Sequence, residues 1–208
     1  NIENNRYLVE QMLGAPERQR VQPKLERIRQ SVMRLKNQLA NLDTVSAVTN
    51  PLTVLSDLNA LIERLLVEMT PDVQRKGIKL KFEHPPTLPA ITINPDEIQR
   101  ALRHLLANAI THTLPDGCVT ISTEQYDSGI IIRVSDTGTG IPTEQQERVF
   151  ELFYRTDTAR TLEFGGMGVG LSIVKLIIEA HGGQIAMEST VGQGTTFVLT
   201  LPLADTAT

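Results

Sequence analysis

The sequence predicts an α+β chain, in which a helical hairpin precedes a two-layer α/β sandwich with one mixed sheet and its helices on one face. Three observations lead to this prediction. Residues 1–49 carry helical spacing and no strand pattern, whereas strands and helices are interleaved after residue 50. Short turns at 127–129 and 192–194 join neighbouring strands into hairpins. Hairpin-linked strands with helices between them are typical of an α+β sandwich.

The first segment, residues 1–49, has the apolar pattern of helices that need a partner. A helix over residues 1–13 is broken at 14–17, and a longer apolar stripe follows, at alternating steps of three and four: Leu25, Ile28, Val32, Leu35, Leu39 and Leu42. A two-helix hairpin cannot hide such a stripe alone. We expect a second copy to cover it, which would give a homodimeric four-helix bundle. The alternative is that the stripe packs on the chain's own second domain.

The second segment, residues 50–208, is predicted to contain three helices and five strands. Ser56 is a suitable N-cap for a helix that runs to about Lys76. Pro95 and Asp96 open a second helix with one apolar face, and a third covers about 171–181. Strands are expected near 78–82, 119–123, 130–134, 184–189 and 195–201.

Composition narrows the possible function classes. The 208 residues suffice for one domain with a small attachment, and 40% hydrophobic residues can bury a core. A net charge of −4 with no Lys/Arg run argues against nucleic acid as a partner. The single cysteine, Cys118, cannot form an internal disulfide, which fits a cytoplasmic location. No apolar run reaches the ~20 residues of a membrane helix.

The chain opens in a polar helical pattern without a signal peptide. We therefore expect residue 1 to be a cut rather than a natural start. Upstream segments could attach the full-length protein to a membrane.

Polar side chains line the rim of the second helix. His104, Asn108 and Thr111 stand at i, i+4 and i+7, so they project from one side. Asparagine is a poor residue for a helix interior, but its amide oxygen is a hard ligand of the kind that Mg²⁺ accepts. The alternative for a single asparagine is a solvent-facing position without a ligand.

A second candidate site follows the strand that ends at Ser135. There Asp136, Gly138 and Gly140 form an Asp-x-Gly-x-Gly loop that continues into Ile141. An ionised aspartate is only an acceptor, so in an apolar pocket it would accept from adenine's amine and disfavour guanine. Glycines let a flat base lie against the backbone. An ordinary turn after a strand is the alternative.

Two further features lie between this loop and the third helix. The run 150–155 places Phe150, Phe153 and Tyr154 beside Arg155, which predicts either a lid anchor with Arg155 facing phosphates or plain core packing. A glycine-rich stretch then leads directly into the third helix, where free amides can bind an anion. It matches neither a Walker loop nor a dinucleotide fingerprint, and a flexible loop is the alternative. Its glycines are Gly165, Gly166, Gly168 and Gly170.

The order of these motifs, closed by Gly-Gln-Gly-Thr-Thr-Phe at 192–197, resembles the catalytic ATP-binding domain of sensor histidine kinases, in the GHKL ATPase superfamily. The resemblance covers roughly residues 50–203. The segment 1–49 resembles the remainder of a kinase dimerisation hairpin. The family resemblance implies ATP and Mg²⁺ as ligands, with phosphoryl transfer to a histidine and then to an aspartate of a response regulator.

The resemblance also implies a role for individual residues. Asn108 would bind Mg²⁺, Asp136 would bind the adenine amine, and Thr195 or Thr196 would lie near the adenine. Residues 155–168 would form a mobile lid. The remaining ligand-binding positions implied are Thr111, His112, Gly138, Gly140, Ile141, Phe153, Gly165, Gly166, Gly168, Val169, Gly170 and Leu171.

The chain departs from the family pattern on the second helix. His104 stands where the family usually has asparagine, and gyrase-like relatives use a glutamate base there. His104 could therefore accept a proton from water or bond a phosphate, and with Arg155 it is a candidate catalytic residue. Thr111 replaces a usual lysine or arginine, so His112 or Arg155 is expected to compensate for the lost charge.

A larger departure concerns the phosphoacceptor. The histidines are His84, His104, His112 and His181, and none lies in residues 1–49. We expect this chain to bind ATP without phosphorylating a histidine of its own. Two alternatives stay open: a non-catalytic ATP-binding or dimerisation module, and a hydrolytic GHKL ATPase.

Overall fold

The computed structural model describes residues 52–127, 129–152, 154 and 168–203. The predicted hairpin over residues 1–49 lies outside the described residues, so both its dimerisation and the domain boundary near residue 50 stay predictions. Within the described part, the α+β sandwich predicted from the alternating patterns is confirmed.

The main sheet has five strands in the order β2-β4-β5-β7-β6. β2 is parallel to β4, and all other neighbours are antiparallel, so the sheet is mixed as predicted. A separate antiparallel ribbon pairs β1 with β3. The strands are β1 (Val54–Ser56), β2 (Lys79–Glu83), β3 (Ile91–Ile93), β4 (Cys118–Tyr126), β5 (Gly129–Asp136), β6 (Gln184–Thr190) and β7 (Gly194–Pro202).

The described helices are α1 (Leu58–Lys76), α2 (Pro95–His112), the single turn α3 (Thr143–Gln146) and α4 (Gly170–Ala180). Helix α1 ends at Gly77 in the left-handed conformation, as predicted from glycine's freedom there. Its predicted N-cap was wrong: Ser56 is the last residue of β1, and the Asp57 carboxylate instead accepts from the Ala60 amide at 3.0 Å.

Helix α2 has the N-terminal cap and the buried apolar face that position it against the sheet. Asn94 caps it, accepting from the amides of Asp96 and Glu97 at 3.1 and 3.2 Å. Its apolar stripe is buried against the sheet and α4, and full burial of each large side chain contributes roughly 1.5–3 kcal/mol. The stripe consists of Ile98, Ala101, Leu102, Leu105, Leu106, Ala109 and Ile110.

The two faces of the sheet differ in burial. Alternate residues of β4, β5 and β7 face the helices and are buried, whereas the residues between them are partly exposed. This period of two places the core on one side only. The covered face contains Val119, Ile121, Ile130, Ile132, Val134, Phe197, Leu199 and Leu201.

Within the described ranges, no helix is both long and apolar enough to cross a membrane.

Candidate functional site

The site begins at Asp136, the last residue of β5, whose side chain lies on the face of the sheet that the helices cover. Asp136 is 8% exposed, and its carboxylate accepts a hydrogen bond from the Gly138 amide at 2.8 Å. Burial raises the pKa of the Asp136 carboxyl above its ordinary value, while backbone amides of Gly138 and Thr195 oppose part of this rise. A buried carboxylate is an acceptor for a ligand's N–H group.

The last turn of α2 lies directly against the Asp136 loop. A side chain at Gly138 would collide with the backbone carbonyl of His112, so glycine is required for this close approach. Asn108 stands one helical turn before His112 on the same side of α2 and is half-buried. The fold therefore brings the Asp136 loop to the part of α2 that carries the candidate metal ligand.

The strand register separates the two candidate threonines. Thr195 pairs with Asp136 across β5 and β7, so their side chains lie on the same face of the sheet. Thr195 is buried and its hydroxyl lies 2.9 Å from that of Ser189. Thr196 instead pairs with Ser135 on the open face and donates to its hydroxyl at 2.9 Å. Of the two, Thr195 is thus the one beside Asp136.

The loop that follows Asp136 is held against β6. Gly140 has φ +68°, and a side chain there would collide with the Thr190 carbonyl. The Ile141 amide donates to the Ser189 hydroxyl at 2.8 Å. Gln146, from α3, donates to the Ile141 carbonyl at 2.9 Å. The sequence singled out Gly140 and Ile141 but neither Ser189 nor Gln146.

The first turn of α4 meets α2 at His104. Gly170 lies against the His104 ring: an added Cβ would stand 3.5 Å from Nδ1. No side chain caps the start of α4 among the described residues, and the amides in the first turn of a helix can bind an anion. Gly168, Val169 and Leu171 flank this turn, and Val169 is buried.

Positive charges near the polar edge of α2 affect its two histidines, His104 and His112. Burial, then the charges of Arg100 and Arg103, lower the pKa of His104 below its ordinary value. Burial and the Lys76 charge lower the pKa of His112. Both imidazoles are therefore biased toward the neutral form at neutral pH.

Lys76 was not predicted from the sequence as part of this region. Its ammonium donates to the carbonyls of Ile110, at 2.6 Å, and Thr111, a favourable position for a cation at a helix C-terminus. Burial lowers the pKa of Lys76. The Thr111 hydroxyl donates to the Ala107 carbonyl at 2.7 Å, so its only proton is used inside the helix.

Four predicted site residues lie outside the described residues, together with almost all of the lid predicted at 155–168: Phe153, Arg155, Gly165 and Gly166.

Phe150 packs edge-on against Phe197, with ring centroids 6.3 Å apart, which agrees with the core-packing alternative for this aromatic residue. The Arg148 guanidinium lies over the Tyr154 ring at 4.4 Å. In the described part of the chain, no three His, Cys, Asp or Glu side chains are grouped so as to hold a metal.

Comparison with known proteins decides the family. Residues 93–205, more than half of the chain, match the sequence profile of the histidine kinase-, DNA gyrase B- and HSP90-like ATPases. The chain belongs to this ATPase family. The match begins at the end of β3 and includes the Asp136 loop, α4 and the last hairpin.

One curated relative of this chain is a sensor protein. Sensor protein SrrB of Staphylococcus aureus (strain MRSA252) is 34% identical over 172 residues, which are 81% of this chain and 29% of SrrB. This chain therefore spans less than a third of that curated relative. The predicted assignment to the catalytic ATPase domain of sensor histidine kinases, within the GHKL superfamily, is confirmed.

Solved structures agree in fold. Full-length ShkA in complex with AMPPNP superposes with a TM-score of 0.76 at 24% identity, over 90% of this chain and 40% of ShkA. The nucleotide-free catalytic domain of histidine kinase ThkA gives 0.65 at 28% identity, over 73% and 95%. ThkA in complex with its response regulator TrrA gives 0.71 at 23% identity, over 98% and 57%.

Proposed function

We propose that residues 50–208 form the ATP-binding core of a two-component sensor histidine kinase. The observation that carries this proposal is the buried Asp136 carboxylate, set against the last turn of the helix that bears Asn108. The core binds ATP and transfers its γ-phosphate to a histidine of a dimerisation hairpin. From that histidine, the phosphate passes to an aspartate of a response regulator.

The adenine end of the site is Asp136. Its carboxylate accepts a hydrogen bond from the exocyclic amine, and guanine is disfavoured because it presents a carbonyl at that position. Thr195 lies beside Asp136 on the same face, and Gly138, Gly140 and Ile141 border the base. Burial of the carboxylate makes this contact strong, because an unpaired charge is costly in a site shielded from water.

The phosphate end is the first turn of α4. His104, which touches Gly170, and His112, which touches the Asp136 loop, are eight residues apart on α2. At 1.5 Å per residue they are separated by about 12 Å along the helix. An extended nucleoside triphosphate can therefore lie along α2, with its base near His112 and its terminal phosphates near the α4 amides, where Gly168, Val169 and Leu171 lie. The predicted lid with Gly165, Gly166, Phe153 and Arg155 would close over these phosphates.

Mg²⁺ fits this arrangement through Asn108, which stands midway between the two ends. One amide oxygen suits an ion that keeps phosphate and water ligands, and the described residues contain no carboxylate cluster that would hold it alone. When bound, Mg²⁺ neutralises phosphate charge. The protein itself contributes positioning and hydrogen-bond donors, as is general for phosphoryl transfer.

The proposed reaction needs an acceptor histidine and two kinds of partner, a response regulator and a second copy of this chain. Residues 1–49 contain no histidine, and in this proposal the acceptor imidazole belongs to a dimerisation hairpin. The complex of ThkA with TrrA supports a response regulator as the next partner. The apolar stripe in residues 1–49 supports homodimerisation through a partial helical hairpin. Because ATP is the substrate, the core works in the cytoplasm.

ATP hydrolysis is a second candidate function, and one observation favours it. His104 lies against the first turn of α4, and its lowered pKa keeps the imidazole neutral and able to accept a proton from water. Thr111 has no charge to offer the phosphates, and His104 and His112, which are biased toward the neutral form, can offer them a ring N–H donor.

Radiolabelled MgATP tests the two functions in one assay. With a histidine-containing dimerisation hairpin supplied in trans, the kinase reading predicts acid-labile, base-stable label on that hairpin and none on this chain. Steady phosphate release without any acceptor, abolished in His104→Asn, would instead establish the hydrolase. Absence of MgATP binding by calorimetry would refute both.

A further inference from the structure

Gln146 occupies a position that couples the Asp136 loop to the edge of the sheet. Its side-chain amide donates to the Ile141 carbonyl at 2.9 Å and to the Ser189 carbonyl at 3.0 Å. Ile141 ends the Asp-x-Gly-x-Gly loop, and Ser189 belongs to β6, one of the two edge strands of the main sheet. The two hydrogens of one amide thus join two segments that are 48 residues apart in the chain.

The Ser189 side chain makes a second hydrogen bond to the same loop. Its hydroxyl accepts from the Ile141 amide at 2.8 Å, lies 2.9 Å from the Thr195 hydroxyl and donates to the Gly194 carbonyl at 3.0 Å. Thr195 is the strand partner of Asp136, and its amide also lowers the Asp136 pKa. Gln146 thus bonds the Ser189 backbone, the Ser189 hydroxyl contacts the Thr195 hydroxyl, and the Thr195 amide faces the buried carboxylate.

The loop has little else to fix it on this side. Residues 137–142 follow the end of β5, and only Thr139 has a further backbone bond to the β6–β7 turn, from the Gly192 amide at 2.9 Å. Gly140, with positive φ, is pressed against Thr190. A backbone with glycines at 138 and 140 has many alternative conformations, so the contacts at Ile141, together with those at Thr139 and Gly140, fix where this wall of the pocket lies.

We propose that Gln146 is a positioning residue for base recognition, holding Ile141 and the Asp136 loop in the conformation that accepts adenine. This inference rests on the proposed ATP site. Gln146 acts through Ile141 and Ser189 and touches no phosphate-binding residue described above. Its loss is expected to weaken recognition of the base and to leave phosphate binding at α4 unchanged.

The experiment compares Gln146→Met with Gln145→Met. Methionine keeps the length of glutamine and removes both donors. Gln145 is the matched control, because it lies on the same helical turn and its buried side-chain oxygen has no hydrogen-bond partner. Ligand affinities are measured by calorimetry for MgATP, MgGTP and inorganic tripolyphosphate, and amide hydrogen exchange at Ile141 is measured without nucleotide.

For Gln146→Met we expect about tenfold weaker ATP binding, a smaller preference of ATP over GTP, unchanged tripolyphosphate binding and at least tenfold faster exchange at Ile141. Gln145→Met should match the wild type in all four. If Gln146→Met does not fold, Gln146→Glu is measured in the same way, with the same expectations, because an ionised glutamate keeps the side-chain length and has no hydrogen to donate to either carbonyl.

Two results overturn the inference: wild-type affinities with unchanged exchange at Ile141, or equal weakening of ATP and tripolyphosphate, which indicates a general structural role. Failure of the proposed function looks different, because the wild type itself would then bind no ATP. The exchange at Ile141 still judges the hydrogen-bond network in that case.

Discussion

Two adjacent pairs of residues, on the same two strands, have opposite environments. Asp136 and Thr195 pair on the covered face of the sheet and are 8% and 6% exposed. Ser135 and Thr196, one residue earlier and one later, pair on the open face, and among the described residues their side chains bond only to each other. The covered pair faces α2 and the candidate ligand, whereas the open pair faces away from both.

The charged groups of the two faces also differ in how far they are exposed to water. On the open face, Arg133 and Glu124 form an exposed ion pair at 2.6 Å, which is worth little in water. On the covered face, burial raises the pKa of Asp136. A desolvated carboxylate is costly until a ligand donates to it, so this face provides binding energy that the open face cannot.

The largest expected effect comes from exchanging the acceptor on the covered face. Asp136→Asn presents a donor toward the adenine amine and should weaken MgATP binding about 100-fold, since a hydrogen bond to a charged group is worth about 1.5–3 kcal/mol and its buried partner is left unpaired. Calorimetry measures the loss. Ser135→Ala is the control and should stay within about twofold of wild type. Equal effects in the two variants would contradict the difference between the faces.

Asn108→Ala extends the comparison to the helix that covers the sheet. Loss of the amide oxygen should remove about tenfold of the gain in ATP affinity that Mg²⁺ produces, and should leave affinity in EDTA unchanged. Titrations with and without Mg²⁺ measure both values. A variant that keeps the full Mg²⁺ dependence would show that Asn108 is not a ligand.

The pH dependence of binding distinguishes the two faces by titration. Because the pKa of Asp136 is raised in the folded chain, its contribution to folding is fully present below the carboxyl's unfolded pKa and is lost as pH rises through the folded value. ATP needs the ionised form, so affinity should fall as pH drops through that value, approaching tenfold per pH unit. Calorimetry across this range checks the slope.

The open-face carboxylate is the control for this titration. Glu124→Gln should keep the wild-type slope, whereas Asp136→Asn should flatten it. An unchanged slope in Asp136→Asn would assign the pH effect to another group.

A smaller effect is expected from the threonines. Thr195→Ala removes the hydroxyl beside Asp136 and its contact with Ser189, and should weaken ATP binding about fivefold, the worth of one ordinary hydrogen bond. Thr196→Ala loses only the contact with Ser135 and should bind as wild type. The reverse order would show that the strand register does not decide which threonine serves the site.

The smallest effect concerns protons. The pKa of His104 is lowered in the free protein, and a triphosphate bound beside it should raise it again. ATP binding near pH 6 is therefore expected to take up a fraction of a proton, measured by calorimetry in buffers of different ionisation enthalpy. His104→Asn should abolish the uptake, and uptake of the same size in that variant would place the phosphates elsewhere.

Local pattern predicts much of this fold. The apolar stripe of α2, the β4–β5 and β6–β7 hairpins and the Asp136 loop follow from residues close in sequence. The N-cap of α1 was wrong because Ser56 and Asp57 are both good caps, and pairing of Ser56 with Ile91 in the β1–β3 ribbon made Asp57 the cap. Strands of three residues carry too little alternation to be recognised.

Much of the site could not be predicted from the sequence, because it depends on contacts between residues that are far apart in the chain. Thr195 and Thr196 are equivalent in sequence until the register with β5 is known. Contacts of Gln146 with Ser189 and of His104 with Gly170 join residues 43 and 66 positions apart, and no local spacing signals them. Lys76 is missed for the same reason, since its acceptors belong to another helix.

The contact between Asp136 and the adenine amine is tested most directly with an ATP analogue that lacks only that amine, purine riboside triphosphate. We predict that the wild type binds MgATP at least tenfold more tightly than the analogue, and that Asp136→Asn binds both with equal, weak affinity. Equal binding of the two nucleotides by the wild type would contradict the account.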